Sequence, residues 1–257
     1  MTVVPHHLVE GPPDGDVVVL SGSLGSDLRT WDAQVGPLVT AGFRVVRHDH
    51  RGHGHSPVPP GPYSLADLGG DVLALLDRVG ARRVHWVGLS LGGMVGTWLA
   101  QHAPERLRGL VLLCTSARLG PPESWAERAA LVRARGTGAV AAAVVGRWLT
   151  PGFALAHPEV PAELIAMVAG TSAEGYASCC AAIGDADLEP GLPGITAPTL
   201  LVAGAQDPAT PPPHLERIAA AVPGARLEVL DPGAHLVTAE QPERTSRLIV
   251  DHLRSVA

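Results

Sequence analysis

The chemistry of this chain concentrates on three residues far apart in sequence: Ser90, Asp207 and His235. Ser90 lies in Gly88-Leu89-Ser90-Leu91-Gly92, after the apolar run Arg83-Val84-His85-Trp86-Val87 and before the helical pattern Met94-Val95-Gly96-Thr97-Trp98-Leu99. Strand, tight turn, then helix is the context in which G-x-S-x-G lifts a serine hydroxyl above a sheet edge. The glycines let strand and helix close on the turn. A serine hydroxyl is a weak nucleophile and needs a base, which in turn needs an orienting acid, in the chain order Ser, Asp or Glu, His. Asp207, in Gly204-Ala205-Gln206-Asp207-Pro208, follows the strand expected over Thr199 to Ala203. His235, in Asp231-Pro232-Gly233-Ala234-His235, follows the strand expected over Arg226 to Leu230. Taken singly, each has a plain alternative: a Gly-rich connection, an Asp-Pro turn, a surface histidine. Jointly they fall at C-terminal strand ends on one rim, which points to acyl transfer. Asp185, Asp187 and Asp231 are the rival acids. The first two end a helical stretch and Asp231 precedes a Pro-Gly turn, so Asp207 is preferred.

Acyl transfer also needs donors for a developing oxyanion. The backbone N–H of Leu91, directly after the serine, is one. Leu24, in the loop Ser21-Gly22-Ser23-Leu24-Gly25 after the strand Asp16 to Leu20, occupies the expected position of the second. The run His48-Asp49-His50-Arg51-Gly52-His53-Gly54-His55-Ser56 holds ligand-type residues, but its spacing is not a familiar zinc pattern. No metal is expected, and Arg51 to Gly54 is read as bracing the floor of the site.

These residues need a scaffold. Short β-rich runs alternate with helical patterns, which predicts an α/β fold: a mostly parallel twisted sheet covered by helices on both faces. Leu65 to Val79 is apolar at helical spacing, with Ser64 as N-cap and Gly80 as stop. A last helix is expected from about Gln241 to Leu253. The alternation breaks over 119–192, an Ala-rich helical stretch interrupted at Gly136, Pro151, Pro158 and Gly170. It is expected to be a cap inserted between core strands and lying over the sheet edge that binds ligands. The expected parts are core (1–118), cap (119–192) and core (193–257).

The chain has 257 residues, is 46% hydrophobic and carries a formal charge of −6, enough for one sizeable core. It contains no lysine and no basic cluster, so nucleic acid and anionic membranes are not expected partners. Three cysteines, two of them adjacent (Cys179, Cys180), make no disulfide framework or zinc motif. They are read as packing residues. No secretory pattern opens the chain and no apolar run is long enough to span a bilayer, so a cytoplasmic protein acting on small molecules is expected.

The chain resembles the α/β-hydrolases from Val18 to about Leu253, and among them the 3-oxoadipate enol-lactonases of protocatechuate and catechol breakdown. The closer match rests on Ser23-Leu24-Gly25-Ser26-Asp27-Leu28 with Trp31-Asp32, on Arg51-Gly52-His53-Gly54-His55-Ser56, and on Gly88 to Gly96. In the cap it rests on Gly120 to Trp125, Arg147-Trp148-Leu149-Thr150-Pro151 and Glu174 to Ile183. The departures are Gly22, where many relatives carry the histidine of a His-Gly pair, and Leu91 and Leu149, where many carry Met and Phe. The resemblance implies opening of a five-membered enol-lactone with an acetate side chain, by Ser90, His235 and Asp207, without a cofactor. It implies a partner for the substrate carboxylate under the cap, for which Arg147 is the candidate, with Trp148 as a wall and Arg133 and Arg135 as alternatives. Other readings are a different esterase, lactonase or secondary-metabolism hydrolase on the same frame, or a ligand-binding protein that has lost catalysis.

Overall fold

The computed structural model describes residues 1–256. Seven strands, β1 (His7–Glu10), β2 (Val17–Ser21), β3 (Arg44–His48), β4 (Val84–Leu89), β5 (Leu107–Leu113), β6 (Thr199–Gly204) and β7 (Arg226–Leu230), form one sheet in the order β1-β3-β2-β4-β5-β6-β7. Only β1 runs antiparallel to its neighbour; the other pairs are parallel. The central strands β4 and β6 are buried at every residue, as a sheet covered on both faces requires. Edge strands β1 and β7 are half exposed. β1 gives no sequence signal, being only four residues long with two polar ends.

The helices are α1 (Asp32–Thr40), α2 (Leu65–Arg78), α3 (Leu91–His102), α4 (Pro122–Arg135), α5 (Gly138–Val145), α6 (Pro151–Ala156), α7 (Glu159–Ala169), α8 (Ala173–Gly184), α9 (Pro212–Ala221), α10 (Val237–Glu240) and α11 (Pro242–Ser255). α1 packs on α11, and α2 on α3. The Ser64 hydroxyl accepts from the Asp67 N–H while the Asp67 carboxylate accepts from the Ser64 N–H, a reciprocal cap that starts α2 where expected. α4 to α8 all fall between β5 and β6, and α4 packs on α8 and α5 on α7. The four sequence breaks mark real ends there: Gly136 caps α4, Pro151 opens α6, Pro158 caps α7 and Gly170 ends it. β4 begins one residue later than expected and runs on through Gly88 and Leu89, because these pair with Leu112 and Leu113 of β5. No helix among the described residues is long and apolar enough to cross a membrane.

The core holds several buried histidines. His85 is fully buried on β4 and neither ring nitrogen has a hydrogen-bond partner among the described residues. Burial pushes its pKa, and that of His48, down to about 4 from an ordinary 6.5. Between those values the unfolded chain binds more protons than the folded one, so stability falls as pH drops through that window. Each such histidine contributes a slope of about 1.4 kcal/mol per pH unit. Urea unfolding at pH 7, 6 and 5 should show this loss. His85→Leu removes one of the protons and two orphaned nitrogens, so the variant should gain on the wild type as pH falls; an advantage that does not grow between pH 7 and 5 would contradict this account.

Candidate active site

Ser90 caps α3 with φ 57° and ψ −113°, a left-handed position that a serine occupies only under constraint. The neighbouring glycines explain how the chain reaches it. A Cβ on Gly88 would lie 2.2 Å from the Gly92 carbonyl oxygen, and one on Gly92 would lie 2.1 Å from the Ser21 carbonyl oxygen. The turn is held by three hydrogen bonds. Ser90 N–H donates to the Leu113 carbonyl at 2.9 Å, Gly92 N–H to the Gly22 carbonyl at 2.9 Å, and the Thr115 hydroxyl to the Ser90 carbonyl at 2.7 Å.

Asp207 follows β6 and is buried. Its Oδ1 accepts from the N–H groups of Ala209 (2.8 Å) and Thr210 (3.1 Å), and its Oδ2 from the Thr210 hydroxyl (2.8 Å). The same Oδ2 lies 2.7 Å from Nδ1 of His235, which is also buried. Burial opposes ionisation of this carboxyl, but the His235 charge and the hydrogen bonds of His235 and Thr210 outweigh it and hold the pKa below the ordinary value. The pair therefore presents the far side of the imidazole, Nε2, away from the carboxylate. Gly204 brings the two loops together, since a Cβ there would meet the Ala234 carbonyl oxygen at 2.0 Å. Ala205 N–H donates to Leu230 O at 2.9 Å and Gln206 N–H to Gly233 O at 2.8 Å.

Ser90 and His235 line one cavity of about 190 Å³, together with Leu24 and Leu91. The backbone N–H groups of Leu24 and Leu91 find no protein acceptor among the described residues. The loop bearing Leu24 is braced from below: His53 Nε2 accepts from the Gly25 N–H at 2.9 Å, and His50 Nε2 donates to the Gly22 carbonyl at 3.0 Å. Burial lowers the pKa of both rings, which keeps them neutral connectors. Within the His48–Ser56 run it is these histidines that brace the loop. Arg51 instead pairs with Asp71 at 2.6 Å, on α2. His6, Asp49 and His55 bring possible ligand atoms within 4.8 Å of one another. Asp49 is already engaged, by the N–H groups of Leu28 and His55 and by the His6 ring.

The other wall of the cavity comes from the five-helix insertion. Arg147 and Trp148 line it. Arg133 does not: it is exposed and paired with Glu174 at 2.9 Å, and Arg135 is exposed at the end of α4. The second arginine in the cavity is Arg128, which the sequence did not distinguish from its neighbours on α4. It lies over the Trp125 ring at 4.6 Å. Burial and then repulsion from Arg128 lower the pKa of Arg147. Tyr176 also lines the cavity, and its buried hydroxyl has no hydrogen-bond partner among the described residues. Two cations and a free hydroxyl beside a serine suit an anionic, carboxylate-bearing ligand. Of the rival acids, Asp187 pairs with Arg118 at 3.4 Å and Asp231 lies within reach of Gln206 at 3.4 Å. Cys179 and Cys180 are buried in α8, with thiols pushed up by burial.

The family pattern of the alpha/beta hydrolase fold matches residues 16–242. The chain is 40% identical over 233 residues to 3-oxoadipate enol-lactonase 2 of Acinetobacter baylyi, covering 91% of this chain and 86% of that protein. It is 33% identical to a candidate carbamate hydrolase, RutD, of Variovorax paradoxus, over 98% of this chain and 97% of the relative. The crystal structure of the enol-lactonase from Burkholderia xenovorans LB400 superposes with a TM-score of 0.94 at 41% identity, covering 97% and 96% of the two chains.

The close approach at the serine turn gives a direct test. Gly92→Ala puts a methyl group against the Ser21 carbonyl, which is fixed backbone, so the variant should lose about 3 kcal/mol of stability. Denaturant unfolding reads this out, and a loss below about 0.5 kcal/mol would mean that the turn is looser than described.

Proposed function

The chain belongs to the α/β-hydrolase fold family, and from that premise we propose that it is a serine hydrolase that opens 3-oxoadipate enol-lactone to 3-oxoadipate. The observation that carries the reading is a single cavity bordered by Ser90 and His235 on the sheet side and by Arg128, Arg147 and Trp148 on the other. In this reading 119–192 is a cap over a core formed by 1–118 and 193–257. The substrate is a five-membered enol-lactone with an acetate side chain, and the protein works in the cytoplasm in the breakdown of aromatic compounds.

Ser90 Oγ attacks the lactone carbonyl carbon while His235 Nε2 takes the hydroxyl proton. Asp207 fixes the tautomer of the imidazole and stabilises its charged form. The carbonyl oxygen becomes an oxyanion that accepts from the N–H groups of Leu24 and Leu91, each worth about 10²–10³ in rate. The ring C–O bond then breaks. The enolate oxygen leaves, takes the proton from His235 and settles as the ketone. Water gives a proton to His235 and its oxygen to the acyl carbon, the second tetrahedral intermediate collapses, and Ser90 recovers its proton as 3-oxoadipate departs. Through both steps Arg147 and Arg128 hold the acetate carboxylate, with the Tyr176 hydroxyl as a further donor. No step calls for a metal or cofactor.

A second reading, carbamate cleavage, is favoured by the RutD-named relative. The same serine machinery would serve it, so the substrate panel must include a carbamate.

Purified protein should open the enol-lactone, and Ser90→Ala should lower the rate by about 10⁴-fold or more. Arg147→Ala removes a charge-assisted contact and should raise KM for the lactone about tenfold to a hundredfold. A cavity of about 190 Å³ suits a short acyl group better than a long one, so p-nitrophenyl decanoate should be a poorer substrate than the acetate. Turnover of the carbamate but not the lactone would transfer the assignment to the second reading. Undiminished turnover by Ser90→Ala would end both.

A further inference from the structure

Glu240 ends α10, five residues after His235, and joins two parts of the chain. Its Oε1 accepts from the Thr150 N–H at 2.7 Å and from the Thr150 hydroxyl at 2.7 Å. Its Oε2 accepts from the Ala234 N–H at 2.5 Å. Beside it, Leu236 N–H donates to the Trp148 carbonyl at 2.8 Å. The stretch 147–150 of the insertion is thus laced to the stretch 234–240, and His235 sits between the two laced positions. On the insertion side, the residues that enter the cavity, Arg147 and Trp148, are three and two positions from the anchor at Thr150.

A carboxylate suits this post because both oxygens accept and neither donates. Glutamine at 240 has one acceptor oxygen and an NH₂ group that would face a donor. It can keep the Thr150 arm or the Ala234 arm but not both. The hydrogen bonds to an ionised acceptor are also about twice as strong as neutral ones.

We propose that Glu240 is a positioning residue that couples the carboxylate-binding end of the cavity to the catalytic histidine. Binding of a substrate carboxylate at Arg147 fixes the 147–150 stretch; Thr150 passes that constraint through Glu240 to Ala234 and so to the adjacent imidazole. A substrate without the carboxylate leaves the stretch held only by these hydrogen bonds and meets a less well-held base. Coupling of this kind is a free energy shared between two sites and is measured as a ratio of effects. The proposal rests on the serine-hydrolase reading above but not on the identity of the lactone.

The test compares mono-p-nitrophenyl succinate, an ester with a free carboxylate, with neutral p-nitrophenyl acetate. The wild type should prefer the succinate ester in kcat/KM, with part of the preference in kcat. Glu240→Gln should cut kcat on the succinate ester at least about tenfold more than on the acetate ester. In an Arg147→Ala background the same substitution should cost no more on one ester than on the other, because the coupled partner is already gone. Equal losses on both esters in the Arg147 background and outside it would show a merely structural staple and overturn the proposal. So would a wild type with no preference for the succinate ester. Thr150→Val, which removes only the hydroxyl arm, gives the same comparison in milder form if Glu240→Gln does not fold. A wild type inert toward both esters sinks the serine-hydrolase reading and the coupling with it, whereas ester turnover without lactone turnover removes only the lactone.

Discussion

One strained peptide unit governs the geometry of this site. Ser90 at φ 57° costs about 1–3 kcal/mol relative to an ordinary conformation, and it persists because its surroundings leave it no other. Its N–H is spent on Leu113 at the end of β5, its carbonyl on Thr115 just beyond, and the next turn of chain is tied to Gly22 after β2. The position of the hydroxyl is therefore set by three neighbouring parallel strands rather than by a loop. Glycine at 88 and 92 is a consequence of the same constraint, because the strand and helix meet where a methyl group would overlap backbone. Strain at one residue is offset by the burial of the entire central sheet.

Around that fixed point the electrostatics follow from burial. Asp207 keeps its charge in a buried setting because three protein donors, Ala209, Thr210 and the Thr210 hydroxyl, join the imidazole in satisfying its oxygens. His50 and His53 are buried without a carboxylate partner and stay neutral, which lets one donate to Gly22 and the other accept from Gly25. The neighbours of the histidines differ: His235 has the Asp207 carboxylate on Nδ1, and the brace histidines have backbone carbonyls and an N–H.

Much of this could be read in the chain itself. The serine turn, the two later loops, and the caps of α2 are local signals, written in glycine, proline and polar residues next to apolar runs. The breaks at Gly136, Pro151, Pro158 and Gly170 were legible for the same reason. What could not be read depended on rotation about helix axes and on partners distant in sequence. Arg128, Arg133 and Arg135 lie on one helix, and only the packing of α4 on α8 decides that Arg128 enters the cavity while Arg133 meets Glu174. Thr210 carries a faint signal, a hydroxyl three residues after Asp207; Tyr176 enters only within the Glu174 to Ile183 resemblance, with no role of its own, and Glu240 carries no signal. β1 leaves no legible pattern because a four-residue edge strand has too few positions to show a period.

On the proposed reading, the two walls of the cavity divide the work of recognition. The sheet side supplies groups that any ester could use, held by backbone bonds and glycine contacts. The insertion supplies charge. Arg128 and Arg147 share the same small cavity, where burial and then the nearby Arg128 charge disfavour the charged form of Arg147. On the proposed reading, a carboxylate entering between the two arginines would offset that cost, which favours an anionic substrate. A neutral ester of equal size gains nothing from this arrangement. Discrimination on this frame is therefore expected to follow the charge of the acyl portion more closely than its shape, and substitutions in the insertion should alter which ester is cleaved without altering how it is cleaved.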